Sequence, residues 1–588
     1  MLVETVASLS CYNATAYLLE ALFLSTCLAN CGITSIKDGA IPAGEDWIRP
    51  ETTIPQGTLR GINMVTHHGR RFFAFKGIPF AEPPVGDLRF KQAVPAGPWN
   101  GILDAGSNPN ACIQREYELF GDEDCLYLNI YTPRIPTAKN STLLPVMVYM
   151  YGGQFKFGTS TPERWSPRFL LDKDVVLLVP NYRFGILGFL TTGDEVSPGN
   201  NQLKDIVQAL KWTQENIKYF GGDPDQVTIF GGSSGANNVQ FLTLSPLTKG
   251  LFHRYMTHSG TAITPIAPEP WSVAAHRVTK LGEYLGCSTD TSTILLDCLR
   301  SFNGSYLYDT EIVLREMKLF TFMGWIPVIE PDVEGALLTD TPANLLAADK
   351  KRDIPWVSLV TRDEGIVVTA EYYDRPDLAE GFLNNIEFFL LKIFKHDTWA
   401  PDAAAYTAAL KSFYNLNDPT ADRKSLLINL TKLITDALYI YPAYQEVEQH
   451  AAHAAYKNPV YLCTFDYRGA FSYSYKFSHG NTEDWGASHG DELIYLLPGP
   501  KEMFGPPGTE FTETDLRIVD AMVELWTSFA TNGLPTTAAL NGNVIWEPYS
   551  SGKKYLQIGN GSDARVEVKS GFHEERMRFW EKFYAGTL

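Results

Sequence analysis

Two five-residue stretches, Gly231-Gly232-Ser233-Ser234-Gly235 and Gly486-Ala487-Ser488-His489-Gly490, share the GxSxG spacing that can present a nucleophilic serine. A serine held at a sharp strand-to-helix turn needs small neighbours, because its backbone is strained and its hydroxyl must stand clear of the sheet. The first stretch follows "VTIF", a strand-like run, and precedes "ANNVQFLTL", a helical one. The second follows the polar "GNTEDW" and lacks the strand. Context selects Ser233 and leaves Ser488 as a loop serine. A helix beginning behind Ser233 would add positive potential and free N–H groups.

A serine hydroxyl needs a general base, and the base needs a carboxylate to fix its tautomer. Of eleven histidines, two sit in near-duplicate settings: His479 in "FSHGN" and His489 in "ASHGD". Pattern favours His489, because the apolar "DELIYLL" behind it can hold a loop in place. Spacing alone does not choose the acid. Asp363 and Glu364, in "TRDEG", are equally well placed at the end of a strand. One more stretch bears on the chemistry. "VYMYGGQFKFG" (148–158) ends an apolar run in two glycines and then Gln154, and such a turn can aim N–H groups at a developing negative charge. Glutamine keeps its backbone N–H. It lacks only glycine's ease at positive φ, a cost of about 1–2 kcal/mol where that conformation is required.

The elements that would hold these residues alternate. "LPVMVYMYG" (144–152) and "DVVLLVPNYR" (174–183) are buried-strand runs, and residues 201–222 show helical spacing that stops at paired glycines. "DQVTIF" (225–230), "YMTHSG" (255–260) and "WVSLVTRDEG" (356–365) continue the strands. Strands alternating with helices predict an α/β fold, a largely parallel sheet covered on both faces. Residues 370–455 carry helical periods and are expected to be an insertion packed on that sheet.

The 588 residues carry a formal charge of −18, which argues against nucleic acid and anionic membranes as partners. No run beyond the N-terminus is long and apolar enough to span a bilayer. Among eight cysteines no zinc-like spacing occurs, so neither a metal nor a cofactor is expected. Cys112 with Cys125, and Cys287 with Cys298, are spaced as local disulfides worth roughly 3 kcal/mol each; Cys463 lies in an apolar run and reads as a buried thiol. Residues 1–31 read as a signal peptide or a disordered N-terminus, with no Lys or Arg before Lys37. Asn140, Asn303, Asn429 and Asn560 head Asn-x-Ser/Thr sites, which with the leader points to a secreted glycoprotein.

At this point the chain resembles the type B carboxylesterase/lipase family, the α/β-hydrolases that include cholinesterases and fungal lipases. "FGGDPDQVTIFGGSSG" (220–235) is similar to its serine signature, and "EDCLYLNIYTP" (123–133) to its second signature. "FKGIPFAEPPVGDLRF" (75–90), "NYRFGILGFL" (181–190), "LFHRYMTHSG" (251–260) and "FDYRG" (465–469) are similarly placed. The likeness runs from about residue 53 to the C-terminus. It implies one α/β-hydrolase catalytic domain over 50–588, with Ser233 as nucleophile, Glu364 as acid and His489 as base. It implies Gly153, Gln154 and Ser234 as oxyanion donors, Ser259 as support for the acid–base pair, and both cysteine pairs as disulfides. "FTFMGWIPVIE" (320–330) resembles the family's acyl-pocket stretch, making Met323 and Trp325 expected pocket walls. The twelve residues between Cys112 and Cys125 are too few for a lipase lid and lack the choline-binding tryptophan. The expected activity is hydrolysis of apolar or aromatic esters through an acyl-serine. Transfer to a second alcohol, lactonisation, or a catalytically silent binding role are the alternatives.

Overall fold

Long runs of β-branched and apolar residues can be buried on both faces only in the middle of a covered sheet. The computed structural model describes residues 48–588 apart from 139, 318–323, 395, 397–399, 419, 541–544 and 588, so the signal-like leader and Met323 lie outside the described residues. Its main sheet has eleven strands: β1 (Ile62–Val65), β2 (Arg71–Pro79), β3 (Tyr127–Thr132), β4 (Leu144–Met150), β5 (Val176–Pro180), β6 (Gly222–Gly232), β7 (Arg254–His258), β8 (Trp356–Thr361), β9 (Val460–Tyr467), β10 (Lys554–Gly561) and β11 (Asp563–Ser570). The spatial order is β11-β10-β9-β8-β7-β6-β4-β5-β3-β2-β1. From β5 to β10 every neighbouring pair is parallel; β1, β2, β3 and β11 are joined by antiparallel pairs. Every residue of β4, β5 and β8 is buried; β4 and β5 are unbroken apolar runs, and β8 buries Ser358 and Thr361 as well.

The crossovers put helices on the faces. After β5, helix α1 (Asn201–Asn216) buries its Leu203, Ile206, Val207 and Leu210 face, tightens into a 3-10 turn and stops at Gly221, whose φ of +83° suits glycine. Helix α2 (Ser234–Leu244) follows β6 at once and is buried along its whole length. Between β8 and β9 lies a run of helices that begins with α3 (Ile366–Asp374) and ends with α4 (Arg423–Thr435), a π-helical turn (Asp436–Ile440) and α5 (Tyr441–Ala452). π-turns aim side chains differently from the helices they interrupt, and this one faces the site. Helix α6 (Glu513–Asn532) starts in a capping box between Thr512 and Asp515.

Cys112–Cys125 and Cys287–Cys298 are disulfides, and Cys463 is a buried free thiol in β9. No helix among the described residues is long and apolar enough to cross a membrane.

Candidate active site

Parallel strands release their following loops at one edge, so residues far apart in sequence meet there. β6 ends at Gly232, which pairs with His258 at the end of β7. Ser233 comes next with φ 56° and ψ −129°, a conformation strained for serine. The turn is held by backbone: the Ser233 N–H donates to the His258 carbonyl at 2.8 Å, and the Ser233 carbonyl accepts from Ala236 at 2.9 Å. Gly235 is required by proximity, because a Cβ there would lie 2.0 Å from the Met150 carbonyl oxygen.

Glu364 lies just beyond β8 and is fully buried. Its Oε1 accepts from the Thr361 N–H at 2.7 Å and from the Ser259 hydroxyl at 2.5 Å. Its Oε2 is left for His489 Nδ1, 2.5 Å away. Burial disfavours a charged His489 ring, but the Glu364 carboxylate beside it prevails and holds its pKa above the usual 6.5. The alternatives fall elsewhere. Asp363 pairs with Arg362 at 2.7 Å and accepts from the Ala487 N–H at 3.1 Å, tying the His489 loop to the end of β8. His479 is exposed, and Ser488 is buried in the loop, donating its N–H to Asp491.

The glycine turn packs against the start of α2. Gly153 has φ 140°, and a Cβ on it would sit 1.9 Å from the Phe157 carbonyl oxygen, so no other residue fits. Gln154 does adopt the left-handed region, at φ 57°, with its side chain exposed. Phe155 follows at φ 63°, its N–H donating to the Ser234 hydroxyl at 3.3 Å. The strain at Gln154 is real, and the glutamine keeps its N–H. Gln154→Gly is expected to raise stability by roughly 0.5–1 kcal/mol, the relief of about 1–2 kcal/mol of left-handed strain less glycine's entropy. Gly153→Ala is expected to displace the turn and lose about 10²–10³ in kcat. Denaturant midpoints and steady-state rates on one nitrophenyl ester measure both.

Ser233, Ser259, His489, Gly153 and Gln154 line one cavity of about 240 Å³. Trp325 does not: it is buried with the Arg277 guanidinium 5.2 Å from its ring centroid, so the expectation of a pocket wall there is corrected. There the indole buries its large apolar area and meets a cation over its ring. The walls come instead from residues the sequence did not single out, among them Phe157, Trp165, Leu438, Tyr439 and Phe477. Tyr439, on the π-turn, lies 4.8 Å from the His489 ring. Behind the histidine, burial first, then the Glu364 charge, pushes Glu492 up to about 8. Its Oε1 faces His258 Nδ1 at 3.3 Å, and Trp526 of α6 donates to His258 Nε2 at 2.8 Å. That bond leaves the proton on His258 Nδ1, and burial keeps the ring neutral with a pKa of about 3. "HGDEL", which contains His489, was the sequence signal for Glu492.

Comparison with known proteins identifies the family. A profile of the carboxylesterase family matches residues 49–580. Juvenile hormone esterase of Tribolium castaneum is 32% identical over 558 residues, covering 90% of this chain and 92% of its own. Esterase FE4 of Myzus persicae is 35% identical over 527 residues, covering 85% and 87%. The crystal structure of juvenile hormone esterase from Manduca sexta, with OTFP covalently attached, superposes with a TM-score of 0.78 at 26% identity, covering 92% of this chain and 100% of that one. The chain belongs to the carboxylesterase family, an α/β-hydrolase that acts as a carboxylic ester hydrolase.

Proposed function

We propose that the chain hydrolyses apolar or aromatic esters through an acyl-Ser233 intermediate. The observation that carries this reading is the short Glu364–His489 contact opening onto the cavity where Ser233 sits on its strained turn. His489 Nε2 takes the Ser233 proton as Oγ bonds to the ester carbonyl carbon. The carbonyl electron pair moves to oxygen, where the N–H groups of Gly153, Gln154 and Ser234 receive it. Collapse breaks the bond to the alcohol, which leaves with the proton from His489. Water, deprotonated by the same nitrogen, then releases the acid. The covalently attached OTFP on the Manduca relative accords with a covalent intermediate.

The aromatic and aliphatic walls favour an apolar acyl or alcohol group. We read residues 50–588 as one catalytic domain and the protein as exported, its two disulfides suiting an oxidising compartment. Asn140, Asn303 and Asn560 are exposed and open to glycosylation, whereas Asn429 is half-buried. A fluorophosphonate probe should label the folded protein on the Ser233 peptide, and absence of labelling would sink the reading.

The pH dependence follows from His489. The base works only when neutral, and its pKa is held above 6.5 by Glu364. As pH falls through that value the ring gains its proton and stops accepting one from Ser233. The acid limb of kcat/KM is therefore expected to have its midpoint above pH 6.5, and a midpoint well below it would contradict the assignment.

A further inference from the structure

Three cationic side chains, Lys156, Arg164 and Lys476, line the cavity that holds Ser233. Lys156 follows the glycine turn, Arg164 precedes the wall residue Trp165, and Lys476 sits on the short helix Tyr473–Phe477. Their side chains are only 22%, 13% and 10% exposed. Burying charge is costly unless it is fully paired. Here each partner carboxylate is shared. Glu116 accepts from both Arg164, at 3.1 Å, and Lys476, at 2.5 Å. Glu311 meets Lys156 at 3.1 Å and also Arg315 at 2.7 Å.

Two of the three lining cations thus share a single carboxylate, a local excess of positive charge at that wall in a chain whose net charge is −18. Glu492, which also lines the cavity, does not offset this at neutral pH, because burial pushes that carboxyl to about 8. Burial also pulls Lys156 and Lys476 below the ordinary lysine value, as expected of ammonium groups short of counter-charge. Apolar surface adjoins the cations: Lys476 Nζ lies 5.8 Å from the Phe157 ring centroid, and the Arg164 guanidinium 5.8 Å from that of Trp165.

The geometry points to an anion-binding subsite formed by Lys156, Arg164 and Lys476, which makes the preferred substrates esters with an apolar body and a second, anionic group such as a carboxylate. This inference rests on the acyl-Ser233 reading above. An anion placed there completes the pairing that the shared Glu116 leaves unfinished, and orients the ester with its carbonyl towards Ser233.

Two substrate pairs test it. Mono-4-nitrophenyl adipate against 4-nitrophenyl hexanoate puts the charge on the acyl side; 4-sulfophenyl against 4-methylphenyl hexanoate puts it on the alcohol side. The quantity read is the anionic-to-neutral ratio of kcat/KM, after subtracting the rate of Ser233→Ala. Both esters of a pair are read on one preparation, so partial loss of folded protein cancels. Lys476→Met is expected to lower the ratio about tenfold for at least one pair. Glu116→Gln, which releases two cations, is expected to raise it, and added salt to lower it in the wild type. Ratios in both pairs indifferent to both substitutions and to salt, in enzyme that turns over the neutral esters, would overturn the subsite. Failure of the wild type on every ester would overturn the acyl-serine reading itself, and the subsite with it.

Discussion

Ser233→Ala should lower kcat by about 10⁶-fold, the scale seen when a triad nucleophile is removed while the rest of the site stays in place. The substitution deletes one oxygen and little else. The turn is held by backbone bonds from Ser233 N–H to His258 and from Ala236 N–H to the Ser233 carbonyl, and alanine makes both. Its φ of 56° is no harder for alanine than for serine, so the far-ultraviolet spectrum and denaturant midpoint are expected to stay close to wild type. What remains is the residual acceleration from ester binding and the N–H donors, about 10³–10⁴ over water. A loss of less than about a hundredfold would mean that another group attacks the ester.

Glu364→Gln should cost about 10⁴-fold in kcat, although the two side chains have the same shape. The argument is one of hydrogen-bond direction. Thr361 N–H and Ser259 O–H both donate to Oε1, so the amide must keep its oxygen there. Its NH₂ is then forced into the Oε2 position, facing His489 Nδ1. Nδ1 must become the acceptor, which puts the ring proton on Nε2, the atom that has to receive the Ser233 proton. The lost charge also lowers the His489 pKa, so the residual activity should keep its rate at lower pH than wild type. Adding Ser259→Ala should recover little, because the Thr361 N–H still requires an acceptor at Oε1 and keeps the amide from turning over. A variant within tenfold of wild type would show that Glu364 does not set the tautomer.

Some of this was readable in the chain. The strand–turn–helix context around Ser233 distinguished it from Ser488, because an elbow needs a strand before it and "GNTEDW" is not one. The runs that became β4, β5 and β8 were readable because central parallel strands are largely apolar on both faces, a pattern local to each segment. Strands β10 and β11 went unread. They form an edge hairpin with mixed burial, and edge strands need not be apolar. Between Asp363 and Glu364, residue pattern alone offered no choice. Both follow β8, and only the packing of Thr361, Ser259 and Ala487 around them sends one carboxylate to His489 and the other to the loop.

By itself the sequence determined what is carried by short stretches: the strand–helix alternation, the strand-to-helix turn at Ser233, the cysteine pairs and the persistence of an N–H at Gln154. Tertiary structure alone decided the rest. Trp325 went into the core, Tyr439 reached His489 through a π-turn 50 residues away, and Lys156, Arg164 and Lys476 came together around one cavity. The reason is physical. Local conformation depends on neighbours within a few residues, whereas a cavity is defined by which distant side chains fail to meet, and that is fixed only when the whole sheet and its insertions have packed.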